Sequence, residues 1–237
     1  MLAVAANAGG AGYIFIDMDY RITDLARNTA MRILYLESTN PDSVLVMLDA
    51  DHAHPPDIIR RLVAHDVDVV GALAFKRSGR PLPCWFEKKM NPDGETWELQ
   101  HPSPELSLEG GLRRCAVVGT GAIAIKRRVF DKLIAAGIEW PYFRLWYPPN
   151  YCGLDNISNP NPWPGEDLYF GLACDKAGVE TYVDLDLVTP HIAEGKQIAL
   201  EDYKTDYAKE IADALKAKRK AEKMAARVVA PSPNRKR

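Results

Sequence analysis

The stretch from Val44 to Arg77, VLVMLDADHAHPPDIIRRLVAHDVDVVGALAFKR, decides the fold. Val44 to Leu48 is an unbroken apolar run, the pattern of a strand covered on both faces, as in a parallel sheet. It stops at Asp49. Pro55-Pro56-Asp57 opens a helix predicted to reach about Asp66, because proline is tolerated in a first helical turn. Val67 to Ala74 then reads as the next strand. Strand, helix and strand in this order make an α/β unit.

The same alternation continues outward. Upstream, Tyr13 to Asp17 (YIFID) reads as a strand, and Thr23 or Asp24 can cap a helix to about Glu37 with Ile22, Leu25, Thr29, Ile33 and Leu36 on one face. Downstream, Asn91-Pro92-Asp93-Gly94 marks a turn between strand-like pieces, and Arg113 to Ile125 is β-rich with glycines, so the sheet is expected to be mixed. A helix over Arg127 to Ala136 precedes Trp140 to Pro164, which holds seven aromatics and six prolines in 25 residues. That is too long for a plain connection and reads as a functional loop whose rings could stack on sugars and exclude water, or pack a satellite core. A helix from Glu166 to Ala177, a strand from Glu180 to Asp184, Pro190-His191 and a helix fading past Leu215 complete the chain. The domains read as 1–198, a terminal helix 199–215 and a basic, disordered tail 216–237.

Composition bounds the function. The chain has 237 residues, 47% apolar and 26% charged, which is one ordinary globular domain. No apolar run reaches the ~18 residues of a membrane span, and Met1 to Gly12 lacks a signal peptide's basic flank, so a cytoplasmic location is expected. Cys84, Cys115, Cys152 and Cys174 are scattered without a CxxC pair and read as reduced structural thiols. The net charge of −2 hides a tail of nine Lys/Arg against one acid from Lys216 onward. The rest is acidic, which argues against specific nucleic-acid recognition and leaves an anionic partner for the tail.

Asp49-Ala50-Asp51-His52 sits where ligands bind in open α/β sheets, off the carboxyl end of a strand. Two carboxylates there suit a hard divalent cation bridging substrate phosphates. The competing reading is a loop whose acids cap the next helix. Glu166 and Asp167 open a helix; they either complement its positive end or supply a general base, and a helix N-terminus would lower their pKa. Gly119-Thr120-Gly121 lacks the lysine and spacing of a phosphate loop, so a bulge is the simplest account. Arg77 or Arg80 could meet a diphosphate, against the simpler reading of a solvated charge run.

Taken in order, the DxD stretch, DLARN (Asp24 to Asn28), VVGTGAIAIKRRVFDKL (Val117 to Leu133), GEDLYFGLACDKAG (Gly165 to Gly178) and the late His191 resemble a GT-A-type glycosyltransferase, family-2-like, over roughly residues 13 to 195. The resemblance implies a GT-A-like, Rossmann-type mixed sheet flanked by helices. It also implies transfer of a sugar from a nucleotide-diphospho-sugar donor, held by Mn²⁺ or Mg²⁺, to an acceptor hydroxyl on a glycan, a lipid-linked molecule or a protein. By the same resemblance Asp51 ligates the metal directly, Asp49 holds the donor ribose or a metal-bound water, and His191 is a late metal ligand. Arg27 and Asn28 lie beside the nucleotide, Gly121 allows close backbone approach, Asp167 is the base of an inverting reaction, and Glu166 contacts the acceptor or backbone. An imidazole ligand would favour Mn²⁺. The family's first strand looks missing, since Met1 to Gly12 reads as the end of a helix; that motivates a non-catalytic nucleotide-sugar or carbohydrate-binding remnant as the alternative. A haloacid-dehalogenase-type phosphatase ranks lower, because Ala53 stands where that class expects Thr or Val.

Overall fold

The computed structural model describes residues 2–6, 13–17, 23–77, 79–94, 97–145, 165–193 and 195–229. The strands are β1 (Leu2–Ala6), β2 (Tyr13–Asp17), β3 (Val44–Leu48), β4 (Val69–Leu73), β5 (Trp85–Met90), β6 (Trp97–Gln100), β7 (Leu112–Cys115), β8 (Val117–Val118), β9 (Ala122–Lys126), β10 (Thr181–Val188), β11 (His191–Ala193) and β12 (Lys196–Ile198). The helices are α1 (Thr23–Glu37), α2 (Ile58–Ala64), α3 (Arg128–Ala135), α4 (Glu166–Lys176), α5 (Leu200–Asp206) and α6 (Ala208–Val229). Seven strands form one mixed sheet in the order β2-β1-β3-β9-β4-β10-β7.

Strand β3 is buried at every position, as its apolar run predicts, yet both of its neighbours, β1 and β9, are antiparallel to it. Strand β9 is wedged antiparallel between β3 and β4, and β4 pairs in parallel with β10. The carboxyl ends of β3, β4 and β10 therefore share one edge with the start of β9. Residues alternate between two cores. Leu45, Met47, Val69, Leu73, Ile123 and Ile125 pack towards α1, α3 and α4, whereas Val44, Val46, Val70, Ala122 and Ala124 pack on Ile58 and Leu62 of α2. Each fully buried Val, Leu, Ile or Met side chain among them contributes roughly 1.5–3 kcal/mol.

Three expectations are corrected. Residues 2–6 form a strand hydrogen-bonded between β2 and β3, not the end of a helix, because alternation of Leu2, Val4 and Ala6 suits a ladder on either side. The buried face of α1 is Ala26, Arg27, Asn28, Ala30, Met31 and Leu34, while Leu25 and Leu36 stay 50% and 64% exposed. Small residues let the helix lie close to the sheet, and the larger apolar residues face outward; Ile22 lies outside the described residues. Helix α6 runs to Val229, past Leu215, because Ala, Lys, Arg, Glu and Met sustain a helix by propensity without an apolar stripe. Residues 230–237 lie outside the described part. Among the described residues no helix is long and apolar enough to cross a membrane.

Two glycines admit β8 between sheet and helix. A Cβ on Gly71 of β4 would stand 2.5 Å from Val118 Cγ2, and one on Gly171 of α4 would stand 2.7 Å from Val117 Cγ2. This close packing fixes α4, and with it Glu166 and Asp167, over the sheet edge. Arg80 fastens the other side: its guanidinium lies 3.7 Å from the Tyr207 ring centroid and donates to Glu210 at 3.0 Å.

Gly171→Ala should therefore lower stability by ~1–3 kcal/mol through overpacking, with Val117→Ala restoring part of the loss, as read by urea denaturation. Removal of residues 216–237 should leave the midpoint unchanged, since Lys216 to Ala221 are exposed; a drop would show that the distal half of α6 is part of the core.

Candidate metal centre

The segment after β10 runs antiparallel to the residues after β3. Ile192 N–H donates to the Asp51 carbonyl at 2.7 Å, Ala53 N–H to the Pro190 carbonyl at 2.8 Å, and His52 and His191 form a bridge pair. This backbone zipper brings together side chains 140 residues apart: His191 Nε2 is 3.0 Å from Asp51 Oδ2, and His52 Nδ1 is 3.2 Å from Asp51 Oδ1. The two imidazoles stack with centroids 4.1 Å apart. Asp51, His52 and His191 offer ligand atoms that all lie within 4.8 Å of one another.

The electronics suit a cation. His191 Nδ1 lies 3.2 Å from the Phe75 carbonyl, which can only accept, so that nitrogen carries a proton and Nε2 is the atom turned to the Asp51 carboxylate. Burial, reinforced by His191, pushes the His52 pKa down to about 4, so this ring is a neutral ligand near pH 7. Burial alone would raise the Asp51 pKa, but hydrogen bonds and charge from His191 and His52 together hold it below the usual carboxylate range. One carboxylate and two imidazoles, with the Phe75 carbonyl orienting one ring from behind, fit a divalent transition-metal ion, Mn²⁺ among them, better than Mg²⁺.

His52 was not among the expected ligands. The signal for it lay in Gly121, where a Cβ would stand 2.7 Å from His52 Cε1 and Nε2. The close approach that Gly121 permits is thus to an imidazole, and its carbonyl also accepts the Asp49 N–H at 2.8 Å.

Asp49 does not join the metal cluster. Both of its oxygens accept from Arg27, at 3.1 Å and 2.8 Å, and this guanidinium also donates to Glu166 Oε1 at 3.3 Å and to the Thr120 carbonyl at 3.3 Å. Arg27 is 3% exposed; burial would lower its pKa, but Asp49 and Glu166 outweigh that and hold it fully charged. A carboxylate neutralised from behind by a bidentate arginine has little charge left for a metal. Asn28 is spent as well. Its amide donates to the carbonyls of Asp24 and Phe143 and accepts from the N–H groups of Tyr142 and Phe143, all within 3.0 Å, so it bolts residues 142–143 to α1.

Gly165, at φ 94°, turns the chain into α4. Asp167 accepts the Leu168 N–H at 2.8 Å, the helix-terminus contact that was expected to keep its pKa low. Burial and then the like charge of Glu166 overcome it and push the pKa up to about 6, a correction in favour of a stronger base. Arg77, with an exposed side chain, reaches to 3.4 Å from Asp51 Oδ2, whereas Arg80 is committed to α6. Of the aromatic stretch, Tyr142 and Phe143 are buried in the core and Trp140 is 44% exposed; Trp146, Tyr147, Tyr151 and Trp163 lie outside the described residues. The Cys84 thiol is pushed up to about 12 by burial, and those of Cys115 and Cys174 higher still, so all three are inert; Cys152 lies outside the described residues.

No protein-family model matches the chain, and no curated protein does. One similar solved structure is the crystal structure of A197 from STIV, 16% identical, with 77% of this chain and 74% of that chain covered and a TM-score of 0.48. A likeness at that level transfers no property to this chain.

The two aspartates separate cleanly by experiment. Asp51→Asn should abolish Mn²⁺-dependent thermal stabilisation while leaving the melting temperature in EDTA close to wild type. Asp49→Asn removes one of the two carboxylates on the buried Arg27 and should cost about 1–3 kcal/mol of stability in the absence of metal. The reverse pattern would return Asp49 to the metal site.

Proposed function

We propose that the protein is a metal-dependent glycosyltransferase of the GT-A type, moving a sugar from a nucleotide-diphospho-sugar to an acceptor hydroxyl with inversion. The observation that carries this reading is the Asp51–His52–His191 cluster at the carboxyl ends of the central strands, joined through Arg27 and Glu166 to a helix start bearing a carboxylate of raised pKa. The resemblance of the ordered sequence motifs supplies the reaction class.

On this reading Asp51, His52 and His191 would hold Mn²⁺ or Mg²⁺, and the ion, when bound, supplies Lewis-acid stabilisation of the leaving diphosphate. Asp167 takes the proton from the acceptor hydroxyl as its oxygen bonds the anomeric carbon and the bond from that carbon to the diphosphate oxygen breaks. A base of pKa about 6 is ionised at pH 7 yet close enough to the working pH to accept a proton effectively. One displacement inverts the anomeric centre. Arg77, the exposed cation beside Asp51, meets the donor diphosphate. Glu166 keeps its carboxylate on Arg27 and orients the helix start, so it is a positioning residue. The basic helix α6 attracts an anionic partner by long-range charge.

The two competitors fare differently. A phosphatase of the dehalogenase type needs the first aspartate as a free nucleophile, and here both oxygens of Asp49 are engaged by Arg27. The remnant reading is motivated by a missing first strand; residues 2–6 are a strand, but one antiparallel to β3, so turnover rather than the sheet separates that reading from an enzyme.

The test is turnover with Mn²⁺ across a panel of sugar nucleotides. Asp167→Asn should lower transfer by ~10²-fold or more with donor affinity little changed, whereas Glu166→Gln should keep measurable transfer. Wild-type kcat/KM should fall as pH drops below about 6, when Asp167 is protonated. Stability provides an independent check of the same group. A carboxyl whose folded pKa is raised from 3.8 to about 6 favours folding below pH 4 and loses that contribution as pH rises through 6. Asp167→Asn should therefore stabilise the protein relative to wild type at pH 7 by on the order of 2–3 kcal/mol, with the difference vanishing near pH 4. Absence of transfer with every donor, alongside intact metal binding, would refute the enzymatic reading.

A further inference from the structure

The last turns of α1, helix α3 and the segment from Trp140 to Tyr142 enclose a cavity of about 350 Å³ that shares no residue with the metal centre. That volume is at the lower end of the range for small-ligand sites. Its walls are a continuous chain of aromatic rings: Tyr35 to Phe130 at 5.3 Å between centroids, Phe130 edge-on to Tyr142 at 5.7 Å, and Tyr142 edge-on to Trp140 at 5.3 Å. Leu36 and Ile134 extend the apolar wall and are 64% and 51% exposed. Large apolar side chains left in water in one patch mark a place where something binds.

A single cation stands in this apolar setting. Arg32 lines the cavity, is exposed, and makes no hydrogen bond or ion pair among the described residues. The neighbouring guanidinium, Arg127, lies 4.4 Å from the Tyr35 ring centroid but is already neutralised by Asp131 at 2.8 Å and donates to the Ser38 carbonyl at 3.1 Å. The unmatched charge of the cavity is thus that of Arg32. Its planar fork suits a phosphate or carboxylate, and the rings suit hydrocarbon. A saccharide is a poorer fit, since Arg32, two tyrosine hydroxyls and the Trp140 indole N–H are the polar groups the lining offers and no carboxylate or amide is among them.

We propose that this pocket binds a free amphipathic anion, a short hydrocarbon chain seated on the aromatic wall with its phosphate or carboxylate on Arg32. The proposal goes beyond the reading of the metal centre and stands without it, because binding here needs neither metal nor sugar donor.

The test is calorimetric titration of the full chain in EDTA with octyl phosphate, octanol and inorganic phosphate. Octyl phosphate should bind saturably at one site, octanol at least tenfold more weakly, and inorganic phosphate not measurably over the same range. Arg32→Gln should reduce octyl phosphate to the level of octanol while leaving octanol unchanged. Ile134→Trp, at a half-exposed position that tolerates bulk, should fill the cavity and abolish both; Leu36→Trp serves if that variant proves misfolded by circular dichroism. Equal affinity of wild type and Arg32→Gln for octyl phosphate, unchanged binding in the filled variant, or binding only to phosphatidylglycerol vesicles would each overturn the proposal.

Discussion

The buried guanidinium of Arg27 is the constraint on which the rest of the site depends. It sits on α1, nearly free of water, and its donors reach the end of β3 through Asp49, the start of β9 through the Thr120 carbonyl, and the start of α4 through Glu166. Three chain segments distant in sequence are thus held around one charge. A buried ion is costly unless its hydrogen-bonding capacity is filled, and here two carboxylates and a carbonyl fill it. Lysine could not do the same, since a single ammonium lacks the planar fork that grips both oxygens of Asp49 while a third nitrogen meets Glu166.

The arrangement also sorts the acids into roles. Asp49 and Asp51 are two residues apart at the same strand end, yet one faces an arginine and the other two imidazoles. The first becomes part of the scaffold and the second is left half-exposed towards solvent, with two imidazoles and the exposed Arg77 beside it. Around a single arginine stand Asp49, Glu166 and, through Glu166, Asp167, so the local field is net negative and favours a divalent ion in the Asp51 cluster.

What could be read from sequence followed from periodicity. The unbroken run Val44 to Leu48, the helix from Thr23 to Glu37 and the D-x-D at a strand end are local patterns, and the structure has the strand and the helix where those patterns put them. The faces and partners were harder. Helix α1 was given the wrong buried face because its sheet-facing side is built of Ala26, Ala30 and two polar residues that are satisfied only by distant chain. Asp49 reads in sequence as half of a cation-binding pair because its partner Arg27 lies 22 residues upstream. His52 adjoins Asp51, yet its place depends on Gly121, the residue before β9, where a Cβ would stand 2.7 Å from the imidazole. The antiparallel insertion of β9 has the same origin: the composition of Arg113 to Ile125 announces strands, but only pairing tells their direction.

The raised pKa of Asp167 shows how the scaffold and the chemistry trade against each other. A helix N-terminus and a nearby arginine both pull a carboxyl towards ionisation, and either alone would make it a weak base. Here burial beneath the chain and the like charge of Glu166 win, which is a destabilising arrangement at neutral pH. It persists because α4 is fixed from below by β8, packed against Gly171, and from the side by Glu166 on Arg27. The arginine therefore does two opposed things. It holds Glu166, whose like charge raises the Asp167 pKa, and its own positive charge limits that rise. Loss of the guanidinium would remove the screen between three carboxylates and release Glu166 at once, so the basicity of Asp167 rests on the geometry of Arg27 as much as on its charge.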